Sequence, residues 1–275
     1  MSAGIVAGSA ARARGEFAAA EPLLREALAL AECAEPADDH ALAVALNALG
    51  LLCKDLGRWD EASAHYERAL GLLEKAADRD PDEIAALWHN LGGIAHARGE
   101  FAAGEVAARR GIAIRRAAGP DARRTAADEV ALAALLDGLG SYDEAERLYR
   151  GAIAVFEADP ADALELAVAI GGLGAQYVLR GHYAEAIALL ARAVELKRRE
   201  LGPRHPDFAL TLHNLAMAQG WSGTGDGGAA AAAKALSILE PALGPTHPRV
   251  VACRAGASPR APAPEGPSGS PPQTI

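Results

Sequence analysis

The chain has 275 residues, of which 51% are hydrophobic, 23% charged and only 4% aromatic. Its formal net charge of −9 excludes a general nucleic-acid binder, because such proteins need surplus lysine and arginine to displace counterions from phosphates. The three cysteines are far apart, so they indicate no disulfide framework or metal knuckle, and no uninterrupted apolar run approaches the roughly 18 residues that span a bilayer. We therefore expect a soluble, cytoplasmic protein without a membrane partner.

A glycine followed two residues later by an aromatic residue recurs at spacings of 42, 42, 41 and 41 residues. A unit of this size cannot bury its own apolar face, so its copies must stack on one another. Stacked copies form a long surface instead of a single catalytic cleft. The five pairs are Gly15/Phe17, Gly57/Trp59, Gly99/Phe101, Gly140/Tyr142 and Gly181/Tyr183.

Each repeat is predicted to be a helix A, a turn at this glycine, and a helix B. Small residues recur five and twelve residues after the glycine, as in Ala62 and Ala69, and seven residues before it, as in Gly50. Positions seven apart lie on one side of a helix, so these residues predict a seam where helices A and B approach closely. Large residues lie between the two later positions and should fill the space beside the seam: Leu24, Tyr66, Tyr149 and Leu190.

Prolines such as Pro81 and Pro203 interrupt the helical pattern between repeats, because proline lacks a donor and restricts the preceding residue. We expect a repeat array over residues 1–248, with helix A of the first repeat within residues 1–14 and an eroded last repeat from about 207. Helix B of that last repeat is predicted from about Ala229 to Leu239. Residues 249–275 are predicted to be an incomplete helix and a disordered tail, irregular from Ala255 and rich in proline, serine and glycine.

These repeated positions resemble the tetratricopeptide repeat, and the longer period is similar to its kinesin-light-chain subtype. The motifs Leu201-Gly202-Pro203-Arg204-His205-Pro206 and Leu212-His213-Asn214-Leu215-Ala216 carry the resemblance. It implies an all-α, right-handed superhelical solenoid of about six helix-turn-helix repeats. It also implies a protein or peptide partner held in a concave groove lined by A helices.

In the family, an asparagine just before the A-helix seam faces the groove and hydrogen-bonds the main chain of a peptide. The resemblance implies this role for Asn90 and Asn214, with Asn47 offset by one position; the alternative is that these are simply exposed polar residues. Small residues around them, including Gly93, Gly171 and Gly172, would form the floor of the groove. The predicted peptide-binding residues are Asn47, Lys54, His89, Asn90, His96, His213 and Asn214.

The evidence for a phosphate-binding, metal-binding or catalytic site is weaker. Gly223, Gly225 and Gly228 have the G-x-G-x-x-G spacing of a phosphate loop, but no strand precedes them and an eroded repeat turn fits better. His89 and His96 are two histidines without a third metal ligand, and Cys53 lies on a packed helix, where core filling is the simpler role. His205 and His247 belong to the boundary motif, where we expect a structural role.

The arginine pairs Arg109-Arg110, Arg115-Arg116 and Arg123-Arg124 indicate either a solvated face of helix B or a patch for an acidic partner. Lys54 is almost alone among the groove positions, so we expect no clamp for acidic peptide tails. Together these observations predict a non-catalytic interaction scaffold without metal or cofactor. The alternative is a regulatory or sensory repeat module that changes conformation on binding a small peptide or metabolite.

Overall fold

A computed structural model describes residues 2–76, 78, 80–119, 121–223 and 227–256, which form helices joined by short turns. These residues contain no strand, and one 3₁₀ turn, Pro160–Asp162, precedes α9. The helices are α1 (Ser2–Ala13), α2 (Phe17–Glu32), α3 (Asp39–Asp55), α4 (Trp59–Leu73), α5 (Pro81–Arg98), α6 (Phe101–Ala118), α7 (Ala122–Gly138), α8 (Tyr142–Phe156), α9 (Ala163–Leu179), α10 (Tyr183–Leu201), α11 (Pro206–Trp221), α12 (Gly227–Leu243) and α13 (Pro248–Gly256).

The chain divides into two compact units, which meet in sequence between Leu135 and Leu136. In the first unit the hairpins α1/α2, α3/α4 and α5/α6 succeed one another, with α2 packed on α3 and α4 packed on α5. In the second unit α9/α10 and α11/α12 do the same, with α8 packed on α9 and α13 on α12. The predicted all-α class and the predicted alternation of helices A and B are confirmed.

Glycine recurs at the turn between helices A and B because of the backbone conformation that the turn requires. Gly57 and Gly99 adopt φ values of 73° and 75°, in the left-handed region that other residues rarely enter. Each reverses the chain so that helix B begins two residues later, at Trp59 and at Phe101. The aromatic residue that follows the glycine is therefore the first residue of helix B.

The predicted seam between helices A and B is confirmed by the contacts of its glycines. A Cβ added to Gly50 would lie 2.5 Å from Cε1 of Tyr66, and one added to Gly8 would lie 2.6 Å from Cγ of Leu24. Ala62 on α4, which also belongs to the seam, is completely buried. The large residues thus fill the space that small residues leave open, and substitution in either set disturbs the other.

Side chains cap the A helices at the repeat boundaries. The Asp80 carboxylate accepts a hydrogen bond from the backbone N–H of Asp82, with Pro81 as the first residue of α5. Nδ1 of His205 accepts a hydrogen bond of 3.1 Å from the N–H of Asp207. Nδ1 of His247 accepts one of 3.1 Å from the N–H of Arg249. Both histidines therefore have the structural role expected of them.

The last repeat is more regular than its sequence suggested. Helix α12 runs from Gly227 to Leu243, beyond both predicted ends, and its Leu239 is buried in a core with Phe208 of α11 and Val250 of α13. A Cβ on Gly228 would lie 2.7 Å from the Ala216 carbonyl oxygen, so Gly228 is a helix-packing residue. Gly225 of the glycine-rich spacing lies outside the described residues, as does Pro120 between α6 and α7.

The prediction of an irregular chain from Ala255 is wrong for its first two residues. Ala255 and Gly256 form the end of α13, because the buried Val250 and Cys253 anchor that helix against the last repeat. The remaining residues of the predicted tail, 257–275, lie outside the described part of the chain.

One described stretch, Pro160–Leu179, is long and apolar enough to cross a membrane, with a mean hydropathy of 1.2. Asp162 and Glu165 interrupt the stretch, so it is not the uninterrupted apolar run that the sequence analysis considered. Half of the stretch is buried, and Leu166 and Ile170 lie in the core of the second unit. Because core helices of soluble proteins meet the same criteria, the stretch is weak evidence for a membrane span.

Candidate functional site

Helices α3 and α5 meet along a polar face in the first unit. The Nδ2 atom of Asn90 donates a hydrogen bond of 2.9 Å to Oδ1 of Asn47, 43 residues earlier. Further along the same two helices, Nζ of Lys54, two turns after Asn47, would lie 3.8 Å from a Cβ on Gly93, one turn after Asn90. His89 is one turn before Gly93 and so lies on the same side of α5. We call the surface formed by Asn47, Lys54, His89, Asn90 and Gly93 the A-helix face.

The Asn47–Asn90 hydrogen bond determines which polar groups of these two predicted site residues are left for a ligand. Asn90 is only 7% exposed, whereas Asn47 is half-buried. The hydrogen bond uses one of the two amide protons of Asn90 and leaves the amide protons of Asn47 and the carbonyl oxygen of Asn90 for other partners. The pair can thus offer both a donor and an acceptor, which is what an extended peptide backbone requires.

The sequence interpretation treated Asn47 as displaced by one position from Asn90. In the structure the displacement is what allows contact, because the side chain of one helix A meets the next position along the following helix A. The pair could have been found by comparing adjacent positions of successive repeats instead of identical positions.

His89 lies beside a buried charge cluster. Its Nδ1 atom is 2.9 Å from Oδ1 of Asp128, although the geometry is not that of a regular hydrogen bond. The other oxygen of Asp128 accepts a hydrogen bond of 2.6 Å from Nε of Arg115, and Arg115 also donates to Asp82 at 2.8 Å. Both side chains of the Arg115–Asp128 pair are only 6% exposed.

This cluster corrects part of the interpretation of the arginine pairs. Arg115 is neither a solvated residue nor an open patch, because Asp82 and Asp128 hold it inside the first unit. Its neighbour Arg116 is 61% exposed and pairs with Glu129 at 2.6 Å, and Arg124 pairs with Asp82 at 2.5 Å. The positive charge in this region is therefore largely matched by acids of the same unit.

His96, at the end of α5, packs edge-on against the ring of Phe101 at 5.6 Å between centroids. Seven residues separate it from His89, which is about 10.5 Å along a helix. Zinc sites take three or four protein ligands, and these two histidines alone supply only two. Among the described residues, no three histidine, cysteine or acidic side chains are grouped to hold a metal.

In the second unit the structure places His213 and Asn214 on α11. His213 is 8% exposed, its Nδ1 has no hydrogen-bond partner among the described atoms, and burial lowers its pKa. Asn214 is half-buried. The position that Asn47 occupies in its repeat is Gly171 one repeat before Asn214, so the asparagine pair is not repeated here.

Gly172 does not form an open groove floor as predicted. A Cβ at this position would lie 2.5 Å from Cε1 of Tyr149, so the tyrosine ring already fills the space above it. Gly171 is less crowded, since its nearest neighbour there would be Cβ of Ala193 at 3.8 Å. The two adjacent glycines therefore differ in role, which their sequence context did not reveal.

Sequence reasoning also missed a buried polar cluster in the second unit. Asp137 accepts hydrogen bonds from Nε2 of Gln176 at 2.6 Å and from the Tyr149 hydroxyl at 3.1 Å. Burial raises the pKa of Asp137 to about 7, although both hydrogen bonds and the charge of Arg180 act in the opposite direction. Gln176 is completely buried and donates a second hydrogen bond to the Tyr142 carbonyl.

Cys53 is fully buried, and burial raises its pKa to about 11. A thiol with that pKa is protonated near neutral pH and is a poor nucleophile. The preference for core filling over a catalytic role is supported by both observations.

The class of molecule follows from these helical hairpins with their glycine turns and small-residue seams. The tetratricopeptide repeat family matches residues 6–75, 83–158 and 165–226, and the chain belongs to this family. The comparison with curated protein sequences gives no match.

Solved structures show the same fold at low sequence identity. The chain is similar to BtubC (BKLC) from P. vanneervenii, with 20% identity, a TM-score of 0.55, and coverage of 92% of this chain and 95% of that one. It is similar to a Rap protein complexed with Competence and Sporulation Factor, with 14% identity, a TM-score of 0.70 and coverage of 85% of this chain. The match spans only 62% of the Rap chain.

A third similar structure is NprR in complex with its cognate peptide NprX. The identity is 13%, the TM-score is 0.70, and the match covers 87% of this chain and 67% of that one. At such identities the likeness concerns the fold.

Proposed function

We propose that this chain is a non-catalytic scaffold that binds a peptide or an extended protein segment along its A helices. The observation that carries the proposal is the Asn47–Asn90 pair on the A-helix face, which can offer a donor and an acceptor to a peptide backbone. Lys54 and His89 flank the pair, and Gly93 has no side chain to obstruct a ligand.

The similar structures support this proposal. One is a protein solved with its cognate peptide, and its likeness to this chain reaches a TM-score of 0.70. The same fold can therefore hold a peptide. For this chain we propose Asn47, Asn90 and His89 as the main contacts, with Lys54 and His96 at one end, and Asn214 and His213 as contacts in the second unit.

We propose that the protein is cytoplasmic, binds neither nucleic acid nor membranes, and has no enzyme activity. The net charge of −9 supports the absence of nucleic-acid binding, and the buried thiol of Cys53 supports the absence of cysteine chemistry. We further propose that residues 1–248 form the functional array, with 249–275 as an appendage.

Binding measurements test the proposal. A partner captured from the native cell, or a peptide selected from a display library, is titrated against the wild type, Asn90→Ala and Asn214→Ala. We expect at least one variant to bind about five- to tenfold more weakly, the equivalent of one lost hydrogen bond. Unchanged affinity in both variants, with unchanged thermal stability, would reject the proposed binding surface.

A regulatory module remains the second candidate, because the chain also resembles the apo form of the quorum sensor NprR from B. thuringiensis with a TM-score of 0.61. In such a module the ligand changes the arrangement of repeats that contact only their neighbours. Small-angle scattering with and without a bound peptide separates the two candidates. A ligand-induced change in the radius of gyration supports the module, and an unchanged radius supports the scaffold.

A further inference from the structure

His89 has two chemically distinct ring edges in this structure. Its Nδ1 atom is buried 2.9 Å from Asp128, while 33% of the side chain is exposed. The edge that carries Nε2 therefore faces the accessible side of α5. The structure shows no partner for Nε2 among the described residues. The ring thus joins a buried carboxylate to the A-helix face.

The Nδ1 atom must carry a proton at this distance. A nitrogen lone pair 2.9 Å from a carboxylate oxygen would repel it, whereas an N–H is attracted even when it is imperfectly aligned. In a neutral imidazole only one nitrogen is protonated, so a proton on Nδ1 leaves Nε2 as an acceptor.

Asp128 is itself held in place. Arg115 donates to its second oxygen at 2.6 Å and to Asp82 at 2.8 Å, and Arg124 donates to the other oxygen of Asp82. Asp128 is only 5% exposed, which fixes its carboxylate more firmly than a surface residue would be fixed.

From this geometry we propose that Asp128 is a positioning residue that holds His89 as a hydrogen-bond acceptor, and that Nε2 of His89 accepts a main-chain N–H of the bound peptide. The inference rests on the proposed function, because it adds a third polar contact beside the Asn47–Asn90 pair. It specifies the ligand as an extended segment with a free backbone N–H at the position opposite His89, so proline or an N-methylated residue there is rejected.

The first test needs no ligand. Long-range ¹H–¹⁵N spectra of the full chain, recorded on the neutral ring, distinguish a protonated Nδ1 from a protonated Nε2. We expect His89 to be protonated on Nδ1, and we expect Asp128→Asn to give a mixture of both tautomers. Glu129→Gln is the matched control, because this adjacent acid pairs with the exposed Arg116, and it should leave the tautomer unchanged. A wild-type His89 protonated on Nε2 overturns the assignment.

The second test uses a peptide selected on the full chain from a display library of random 12-residue sequences. Each backbone nitrogen of that peptide is N-methylated in turn. We expect one methylation to weaken binding to the wild type by about tenfold and to have little effect on binding to His89→Phe, because the phenyl ring has no acceptor.

The outcomes separate this inference from the proposed function. Peptides that bind but lose equal affinity to both proteins at every methylated position overturn the role of His89 alone. If the library yields no binding peptide, the proposed function fails and the role of His89 fails with it. Measured tautomers then still show whether Asp128 orients the ring.

Discussion

Asp137 at the end of α7 accepts a 2.6 Å hydrogen bond from Gln176 of α9, 39 residues later, and so joins two successive repeats of the second unit inside its core. The contact is made by a carboxylate that is 6% exposed. Because its pKa is raised to about 7, this carboxylate links the stability of the core to pH.

We predict that the contribution of Asp137 to the free energy of unfolding falls as pH rises from about 4 to about 7. Burial raises the pKa of Asp137 from 3.8 to about 7, so in this range the unfolded chain releases a proton that the folded chain keeps. Stability due to this group is fully present below the unfolded pKa and is lost as pH passes through the folded value. The expected loss is a few kcal/mol, measured by urea unfolding at half-unit pH intervals.

Asp137→Asn should remove most of that pH dependence and raise stability at pH 8, because the amide stays neutral and keeps its partners Gln176 and Tyr149. Asp143→Asn, an exposed acid of the same repeat, is the control and should retain the wild-type slope. Parallel slopes in all three proteins would show that Asp137 titrates normally.

Replacing Arg115 by methionine should lower stability by about 3–5 kcal/mol, since it leaves the buried carboxylate of Asp128 without its arginine. Arg116→Met is the matched control: its side chain is 61% exposed and its pair with Glu129 should contribute less than about 1 kcal/mol. Thermal and urea unfolding of both variants give the comparison, and equal losses would contradict the buried position of Arg115.

Substitution by alanine should change the stability of the protein in opposite directions at two adjacent glycines of α9. Gly171→Ala should stabilise the protein by up to about 1 kcal/mol, because alanine favours helix and its Cβ has room. Gly172→Ala should destabilise it by about 1–3 kcal/mol, because its Cβ would lie 2.5 Å from the Tyr149 ring. Stabilisation by both substitutions would show that Tyr149 can move away without cost.

The cap at α11 gives a fourth prediction. His205→Ala should cost about 1 kcal/mol, since the N–H of Asp207 loses its acceptor, and His205→Asn should recover most of that loss. His182 also precedes a helix, α10, but makes no capping hydrogen bond, so His182→Ala should change stability little. A similar loss in both alanine variants would argue against capping by His205.

Features that recur in every repeat were predictable from the sequence. The position of Gly57 is glycine in other repeats, and the position of Tyr66 is tyrosine or leucine. Periodicity alone therefore predicts the turn and the seam. This is why the helix pairs and their packing residues were identified without coordinates.

Features that occur once were not predictable. Arg115 finds acids 33 residues earlier and 13 residues later, and only the three-dimensional packing brings these three side chains together. Asp137 gave no sequence signal either, because a buried acid and an exposed acid at the end of a helix have the same local context. Asn47 was assigned to the binding surface, but its contact with Asn90 depends on two different positions of successive repeats.

That last contact has a consequence for how a ligand is placed. In an array of identical repeats, a bound chain could slide by one repeat and meet the same groups again. The asparagine pair combines two unlike positions and occurs once in the first unit, and Gly171 takes the place of its first member before Asn214 in the second. If the pair binds a ligand as proposed, that ligand has one register along the A helices, because sliding by one repeat would take it away from the pair.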